Sequence, residues 1–366
     1  MSQNKLLPVN YPDITCFPYY ADVLSIVSAT SDSYIPWMLS NFIQLSSHPD
    51  RERNGILKID FFQPWITWVP YYCPLIDVQL INKDVVMLKN KLNIISFITE
   101  SIDLGYYVHM KVNHNYLSIS SFYKKKDLAH DILIYGYNKV LETFEVADNF
   151  DGKYEFKKCS FKEFEDAYDK PAIYNVSNYE KILLFRANNY AQYSFDLLKV
   201  VDSLNDYLLS RDTRIRDDQS LTWASELTLG INIYEKIIEY LFTLLEEKLW
   251  CDFKPFHVLW EHKKCMVQRI EFLIKNNLLQ ESRVHTSYKD LEKKTLIFRN
   301  MMLKYLIKPE KKLIQNLIQE IKSFSLLEPP LINEMLDQIY LNSSRAEEIL
   351  LGNNNNINLK WNLCTR

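Results

Sequence analysis

Before about residue 175 the hydrophobic pattern changes period from one segment to the next. Short β-rich runs, Ile56–Phe62, Tyr106–Val112 and Ile132–Tyr135, alternate with stretches of helical spacing, the mark of an α+β domain. Val85, Leu88, Leu92, Ile95, Thr99 and Ile102 recur three or four residues apart and Gly105 follows as a stop, so a single helix is expected from Lys83 to Leu104. Another is expected to open at Cys16. Pro18 suits a first turn, where its missing N–H costs nothing, and Ala21, Leu24, Ser25 and Val27–Ser28 form the inward stripe. Ser160-Phe-Lys-Glu163 predicts a capping box that opens a helix over Phe161–Tyr168.

From about Ser177 the pattern becomes almost purely helical. Leu313, Ile314, Leu317, Ile318 and Ile321 form one stripe, Ile332, Met335, Leu336 and Ile339 another, with a break expected at Pro329–Pro330. The expected organisation is a mixed domain over 1–175, an all-α domain over 176–352 and a polar tail over 353–366, from which Trp361 and Leu363 could dock. No fixed-period repeat points to a solenoid.

Composition narrows the function. The 366 residues are enough for two domains with cores of their own, and 43 Lys+Arg against 46 Asp+Glu give a formal net charge of -3, which lacks the basic footprint of a nucleic-acid binder. Only 6 glycines occur, with no GxGxxG and no GxxxxGK[ST], so nucleotide-cradling loops of those kinds are absent. Cys16, Cys73, Cys159, Cys251, Cys265 and Cys364 are scattered without CxxC pairs, as reduced thiols are in a cytoplasmic protein. No leader pattern and no long uninterrupted apolar run is found.

The informative stretch is Ala129–Phe150, AHDILIYGYNKVLETFEVADNF, which reads as a β-hairpin on either side of Gly136–Tyr137–Asn138. Pairing centred near Lys139 puts Ile134 opposite Phe144, Ile132 opposite Val146 and His130 opposite Asp148. All six then share a face, and imidazole and carboxylate meet roughly 5 Å apart at Cβ. A one-residue bulge breaks this arrangement. With it intact, the carboxylate fixes the tautomer of His130 and leaves the other ring nitrogen to take a proton from a nucleophile. Cys16 is the best-placed thiol, because a helix N-terminus and a neighbouring imidazolium both draw its pKa below the free value of about 8.5.

Alone, a cysteine opening an apolar stripe is more often a small buried hydrophobe, and a His facing a carboxylate on a strand edge is often a plain surface pair. Their joint occurrence favours the chemistry. His109 and His114, five apart on one continuous strand, fall on opposite faces, and His257 and His262 lie well round a helix from each other, so neither pair suits a metal. Lys124–Lys126 and Lys153, Lys157, Lys158 and Lys162 read as solvated faces that could also steer an acidic partner. Tyr19, Tyr20, Trp37, Trp65 and Trp68 read as core.

Cys16-Phe-Pro-Tyr-Tyr-Ala, Ile102-Asp-Leu-Gly-Tyr-Tyr-Val-His-Met-Lys-Val, Ala129-His-Asp-Ile-Leu-Ile-Tyr-Gly-Tyr-Asn and Phe144-Glu-Val-Ala-Asp-Asn-Phe together resemble the butirosin-biosynthesis protein H N-terminal family. That family is a papain-like relative of the double-glycine, bacteriocin-processing peptidases. The resemblance spans roughly residues 10 to 170, and the order Cys, His, Asp is that of papain-like enzymes. Asn113 and Asn138 stand where such sequences often have Asp, and Phe17 where the peptidases favour Gly.

The resemblance implies a papain-like cysteine-protease fold followed by a helical domain, with Cys16, His130 and Asp148 as catalytic triad. It also implies transfer of an acyl group from a carrier-protein thioester through Cys16 to an amine, forming an amide in natural-product (antibiotic) biosynthesis. The oxyanion is expected to rest on the Cys16 backbone N–H, with Asn10, six residues earlier, as candidate second donor. No cofactor or metal is called for; the expected partners are an acyl or peptidyl carrier protein and a small amine. A cysteine hydrolase, peptidase or thioesterase, built on the same triad is one alternative. An inactive interaction module is another.

Overall fold

A computed structural model describes residues 2–47, 57–62, 72–89, 93–174, 176, 179–213, 227–246, 251–353 and 357–358. In chain order its strands are β1 (Asn4–Leu6), β2 (Leu45–Ser47), β3 (Ile59–Phe61), β4 (Ile76–Asn82), β5 (Tyr107–Asn113), β6 (Ala129–Asn138), β7 (Thr143–Phe150), β8 (Lys153–Ser160), β9 (Lys181–Ala187), β10 (Phe195–Asp196), β11 (Thr228–Leu229) and β12 (Ile357–Asn358). The protein is α+β, as its periodicity predicts. It divides into two compact units, Met1–Tyr34 with Thr67–Tyr193, and Ile35–Ile66 with Ser194–Arg366. A single cut near 175 is thereby replaced by a discontinuous pair.

The first unit is built on an antiparallel sheet in the order β4-β9-β5-β6-β7-β8, with β1 added along β6. β9 corrects the purely helical reading beyond Ser177. Ile182, Leu183, Leu184 and Phe185 are all buried, and a short apolar run covered on both faces has no period to tell strand from helix. Helix α1 (Pro18–Thr30) places Pro18 at its first position, as expected, but opens after an N-cap at Phe17, so Cys16 lies one residue outside the cap instead of opening the helix. The Ser160–Glu163 capping box forms and opens the Phe161–Asp169 helix. The single helix over 83–104 is instead two, Lys83–Lys89 and Ile94–Asp103. Asn93 adopts extended backbone and accepts from the Ser96 amide as the N-cap of the second, a choice that asparagine makes more readily than helix continuation.

The hairpin forms in a shifted register. Asn138 pairs with Thr143 and Tyr137 with Phe144, but beyond a bulge between Ile134 and Gly136 the pairs are Ile134 with Val146 and Leu133 with Ala147. Asn138 Oδ1 shapes the loop by accepting from the Val140 and Leu141 amides, both at 3.0 Å. Gly136 lies within the strand, where a Cβ would come within 2.7 Å of Leu6 Cδ1 and 2.9 Å of the Lys5 carbonyl oxygen; only glycine lets β1 approach so closely. Turn and bulge each shift the parity. The turn register by itself leaves His130 and Asp148 on opposite faces, and the extra residue at Tyr135 returns them to one face. Ile132, Ile134, Phe144 and Val146 are fully buried, each worth roughly 1.5–3 kcal/mol, so a further one-residue slip is strongly disfavoured.

In the second unit the helices Leu197–Leu209, Ile233–Leu245, Lys254–Lys275, Arg283–Ile307 and Lys311–Asn353 supply most of the core, with a small β11-β2-β3 sheet. The last helix runs through Pro329 and Pro330, against the expected break. The two prolines leave the Ser325 and Leu326 carbonyls without their helical donors, and Leu326 is exposed enough for water to take over. Within the expected tail, Ile357–Asn358 pairs in parallel with Phe195–Asp196, while Trp361 and Leu363 fall outside the described residues. Trp37 is core, as expected, and Trp65 and Trp68 also lie outside the described residues. Among the described residues no helix is long and apolar enough to cross a membrane.

Candidate active site

His130 is the second residue of β6 and Asp148 lies near the end of β7, so both sit at the same end of the sheet. Extending the observed register sets Asp148 across from Ile132 and His130 one diagonal step away. This corrects the directly opposed pairing but keeps the shared face. His130 Nδ1 meets Asp148 Oδ2 at 2.6 Å. The His130 side chain keeps 25% of its surface exposed while Asp148 has none, so the carboxylate is sealed behind the ring and the ring retains an outward edge. Burial disfavours the imidazolium, but Asp148, helped by Asp131, outweighs it and raises His130 to about 9. Burial also raises Asp148, against the pull of His130; the pair shares one proton.

The segment before α1 is brought to this end of the sheet by the residue after Asp148. Asn149 Nδ2 donates to the Thr15 carbonyl at 2.8 Å, immediately before Cys16. Cys16 is 6% exposed and stands at the helix start where anions are favoured. None of the five described cysteines is in a disulfide. Burial pushes the Cys73 thiol up to about 12, Cys251 to about 11, and Cys159 further still, which disqualifies all three as thiolates at neutral pH.

Asn10 is not available as the oxyanion donor. Its amide nitrogen Nδ2 donates to the Ser28 carbonyl at 2.9 Å and its backbone N–H to that of Ser25 at 3.0 Å. Both acceptors lie in the second half of α1, and Ser28 is about 15 Å along the axis from Pro18. The lysines near the site are also less free than composition suggests. Lys153, Lys157, Lys158 and Lys162 each pair with a carboxylate, leaving exposed Lys124–Lys126 as the basic feature of the loop that follows His114.

Two clusters escape sequence reasoning. On the opposite face of β5 and β6, His109 Nδ1 lies 2.7 Å from Asp22 Oδ2 and His109 Nε2 lies 3.5 Å from Asp131 Oδ1. Tyr154 donates to Asp22 Oδ1 at 2.8 Å. Burial opposes the charge on His109, yet Asp131 and Asp22 raise it to about 10, while burial lifts Asp22 to about 6. This chain ties α1 to β5, β6 and β8 on the face opposite His130 and Asp148, so the segment that carries Cys16 and that pair are related through the sheet end, where Asn149 holds Thr15. The second cluster adds His114, in the turn after β5, to the pair. Its Nε2 is 3.6 Å from Asp148 Oδ2, its Nδ1 is 3.2 Å from Ser120 Oγ, and its ring is stacked on Phe150. Burial, then the charge on His130, drives His114 down to about 3, so it is neutral. His114, His130 and Asp148 each offer a metal-type ligand atom, all within 4.8 Å of one another. His109 and His114 do stay apart, but the partners of each come from residues distant in sequence. His257 and His262 are structural: His257 Nε2 is 3.1 Å from Glu261, and His262 Nε2 is 2.7 Å from the Ile43 carbonyl.

No known family model matches the chain, and no curated protein sequence matches it.

Proposed function

We propose that the chain is a cysteine-dependent acyltransferase with a papain-like first unit, in which Cys16 is the nucleophile, His130 the proton carrier and Asp148 the residue that orients it. The observation that carries this reading is the 2.6 Å His130–Asp148 contact at the sheet end where Asn149 holds Thr15. A helix that opens just after a cysteine and packs on an antiparallel sheet, with His and Asp on neighbouring strands at the sheet end held to the residue before that cysteine, supports the papain-like assignment.

The chemistry runs in two halves. Thiolate Cys16 attacks the carbonyl carbon of an acyl thioester; the tetrahedral oxyanion is held by backbone N–H groups at the helix start, and the carrier thiol leaves, taking its proton from His130. The neutral imidazole then accepts a proton from an incoming amine as nitrogen bonds to the acyl carbon and Cys16 is released. The donor is proposed to be a carrier-protein thioester, and Lys124–Lys126 offer an acidic carrier a docking point. Incubation with a panel of acylated carrier proteins is expected to add one acyl mass to the intact protein, and a diamine or aminoglycoside acceptor to discharge it as amide. Free acid as the sole product, with or without acceptor, assigns a hydrolase instead. No adduct from any carrier overturns the reading.

The pH profile tests the division of roles. Activity requires thiolate and imidazolium together, so it rises as the thiol loses its proton and falls as the imidazolium does. Because His130 is held at about 9, the alkaline limb is expected near there and not near 6.5. Asp148→Asn removes the charge that offsets burial of the ring, so the alkaline limb moves down, with partial loss of rate. An unmoved limb, or a loss as complete as that of Cys16→Ala in a folded protein, contradicts Asp148 as the orienting residue.

A further inference from the structure

We propose that His114, His130 and Asp148 form a site for a divalent transition-metal ion of the zinc class, on the Nδ1 side of the His130 ring. The ligand set is two imidazoles and a carboxylate, the composition that zinc and related ions favour. The first observation is convergence: Asp148 Oδ2 lies 2.6 Å from His130 Nδ1 and 3.6 Å from His114 Nε2, and the three ligand atoms all fall within 4.8 Å of one another. Four-coordinate zinc with bonds of about 2.0–2.1 Å sets its donors about 3.3–3.4 Å apart, so small side-chain rotations suffice to close the site.

The second observation is independent of the first. His114 Nε2 and Asp148 Oδ1 are both buried and both lack a hydrogen-bond partner among the described residues, although their side chains are only 2% and 0% exposed. Buried polar atoms left in that condition cost about 1–3 kcal/mol each. If Nδ1–H of His114 donates to Ser120 Oγ, 3.2 Å away, the Nε2 lone pair is aimed at a carboxylate, an orientation that a cation between them relieves. Ser120 thus acts as the outer partner that selects the metal-binding tautomer. Phe150, stacked on His114, walls the other side.

The ion takes the place of the proton between His130 and Asp148: two metal bonds form there, a third forms to His114, and one proton leaves to solvent. A solvent molecule completes the shell. On the reading of Cys16 chemistry given above, zinc then holds the ring by Nδ1 and removes its capacity to carry a proton, so occupancy switches acyl transfer off.

Binding is measured on the full chain, stripped with chelator, by competition between the protein and a chromophoric zinc indicator, in the Cys16→Ala background so that the thiol cannot contribute. One tightly held ion per chain is expected. His114→Ala and His114→Gln should weaken it by more than the roughly 10–100-fold that losing an outer partner costs, and Ser120→Ala by an amount within that range. Circular dichroism of each variant excludes misfolding. Cobalt in place of zinc should give d–d bands without thiolate charge transfer, in the parent as in Cys16→Ala. No competition for zinc, or binding indifferent to both His114 variants, overturns the site and leaves the orphan atoms to a buried water. The two readings fail separately: an acyl adduct without zinc binding sinks only the metal site, and zinc binding without an adduct sinks only the acyltransferase.

Discussion

Cys16→Ala is expected to abolish the acyl adduct while leaving the fold intact, with turnover reduced at least about a thousandfold, or roughly 4 kcal/mol of transition-state stabilisation. Cys16 is singled out by its placement, with three of the other described thiols pushed away from ionisation. A thioester can be taken over only by a comparable nucleophile, and the buried thiols of Cys73 and Cys159 are driven far from ionisation; Cys73→Ala and Cys159→Ala should therefore leave the adduct in place. Cys16 is buried, so loss of its sulfur leaves a small void and the denaturation midpoint should fall slightly while the fold is kept. His130→Ala should be nearly as damaging as Cys16→Ala, because without the imidazolium neither the thiolate nor the leaving thiol is served. The two losses should not add, since nucleophile and proton carrier act as a unit. An adduct that persists in Cys16→Ala and maps to another cysteine would remove the proposed nucleophile and with it the triad.

The sequence made the geometry of the candidate site legible where it is encoded locally. Pro18 marks the start of a helix, Ser160 and Glu163 cap another, and alternation along β6 and β7 points His130 and Asp148 the same way. That last success hides two compensating errors. The four residues between Asn138 and Thr143 and the bulge at Tyr135 each move the register, and only their combination restores the shared face. Nothing in the alternation signals a bulge; Gly136 does so indirectly, through a neighbour that arrives from residues 4–6. His114 was out of reach for a similar reason. It joins His130 and Asp148 across sequence gaps of 16 and 34 residues, by way of a turn whose direction depends on Ser120 and Phe150. Asn10 failed because proximity in sequence to Cys16 does not survive the path of the chain, which carries residue 10 to the far end of α1. The Pro329–Pro330 helix shows the opposite limit: a strong local rule yielded to the apolar stripe on either side and to the contacts of Glu328.

Those contacts set the largest stability effect expected of a single substitution. Glu328 lies at the centre of the helical unit with no exposed surface, and Lys263, equally buried, contacts its Oε1 at 2.5 Å. Tyr288 donates to Oε1 at 3.2 Å, and Tyr207 and Tyr234 donate to Oε2 at 3.0 and 2.5 Å. Lys263 also donates to His262 Nδ1 at 3.1 Å, which leaves Nε2–H of that ring to donate to the Ile43 carbonyl. Each of the five helices named above supplies a member, so the cluster fixes their mutual registry with polar contacts that apolar packing could not specify. Burial lowers Lys263, and Glu328 raises it again without fully restoring it; the pair is held by its geometry and not by a large Coulombic surplus. Lys263→Met removes the cation and leaves a carboxylate facing three hydroxyls in a dry interior, at an expected cost of about 3–5 kcal/mol. Pairing it with Glu328→Gln removes the stranded charge yet keeps an acceptor for the tyrosines, so the double variant should recover about 1–3 kcal/mol of that loss. The measurement is urea denaturation of the full chain followed by far-ultraviolet circular dichroism, which is dominated by these helices. A Lys263→Met protein within about 1 kcal/mol of the parent, or a double variant less stable than Lys263→Met alone, would show that Glu328 is satisfied by the tyrosines and that the lysine is incidental to the bundle.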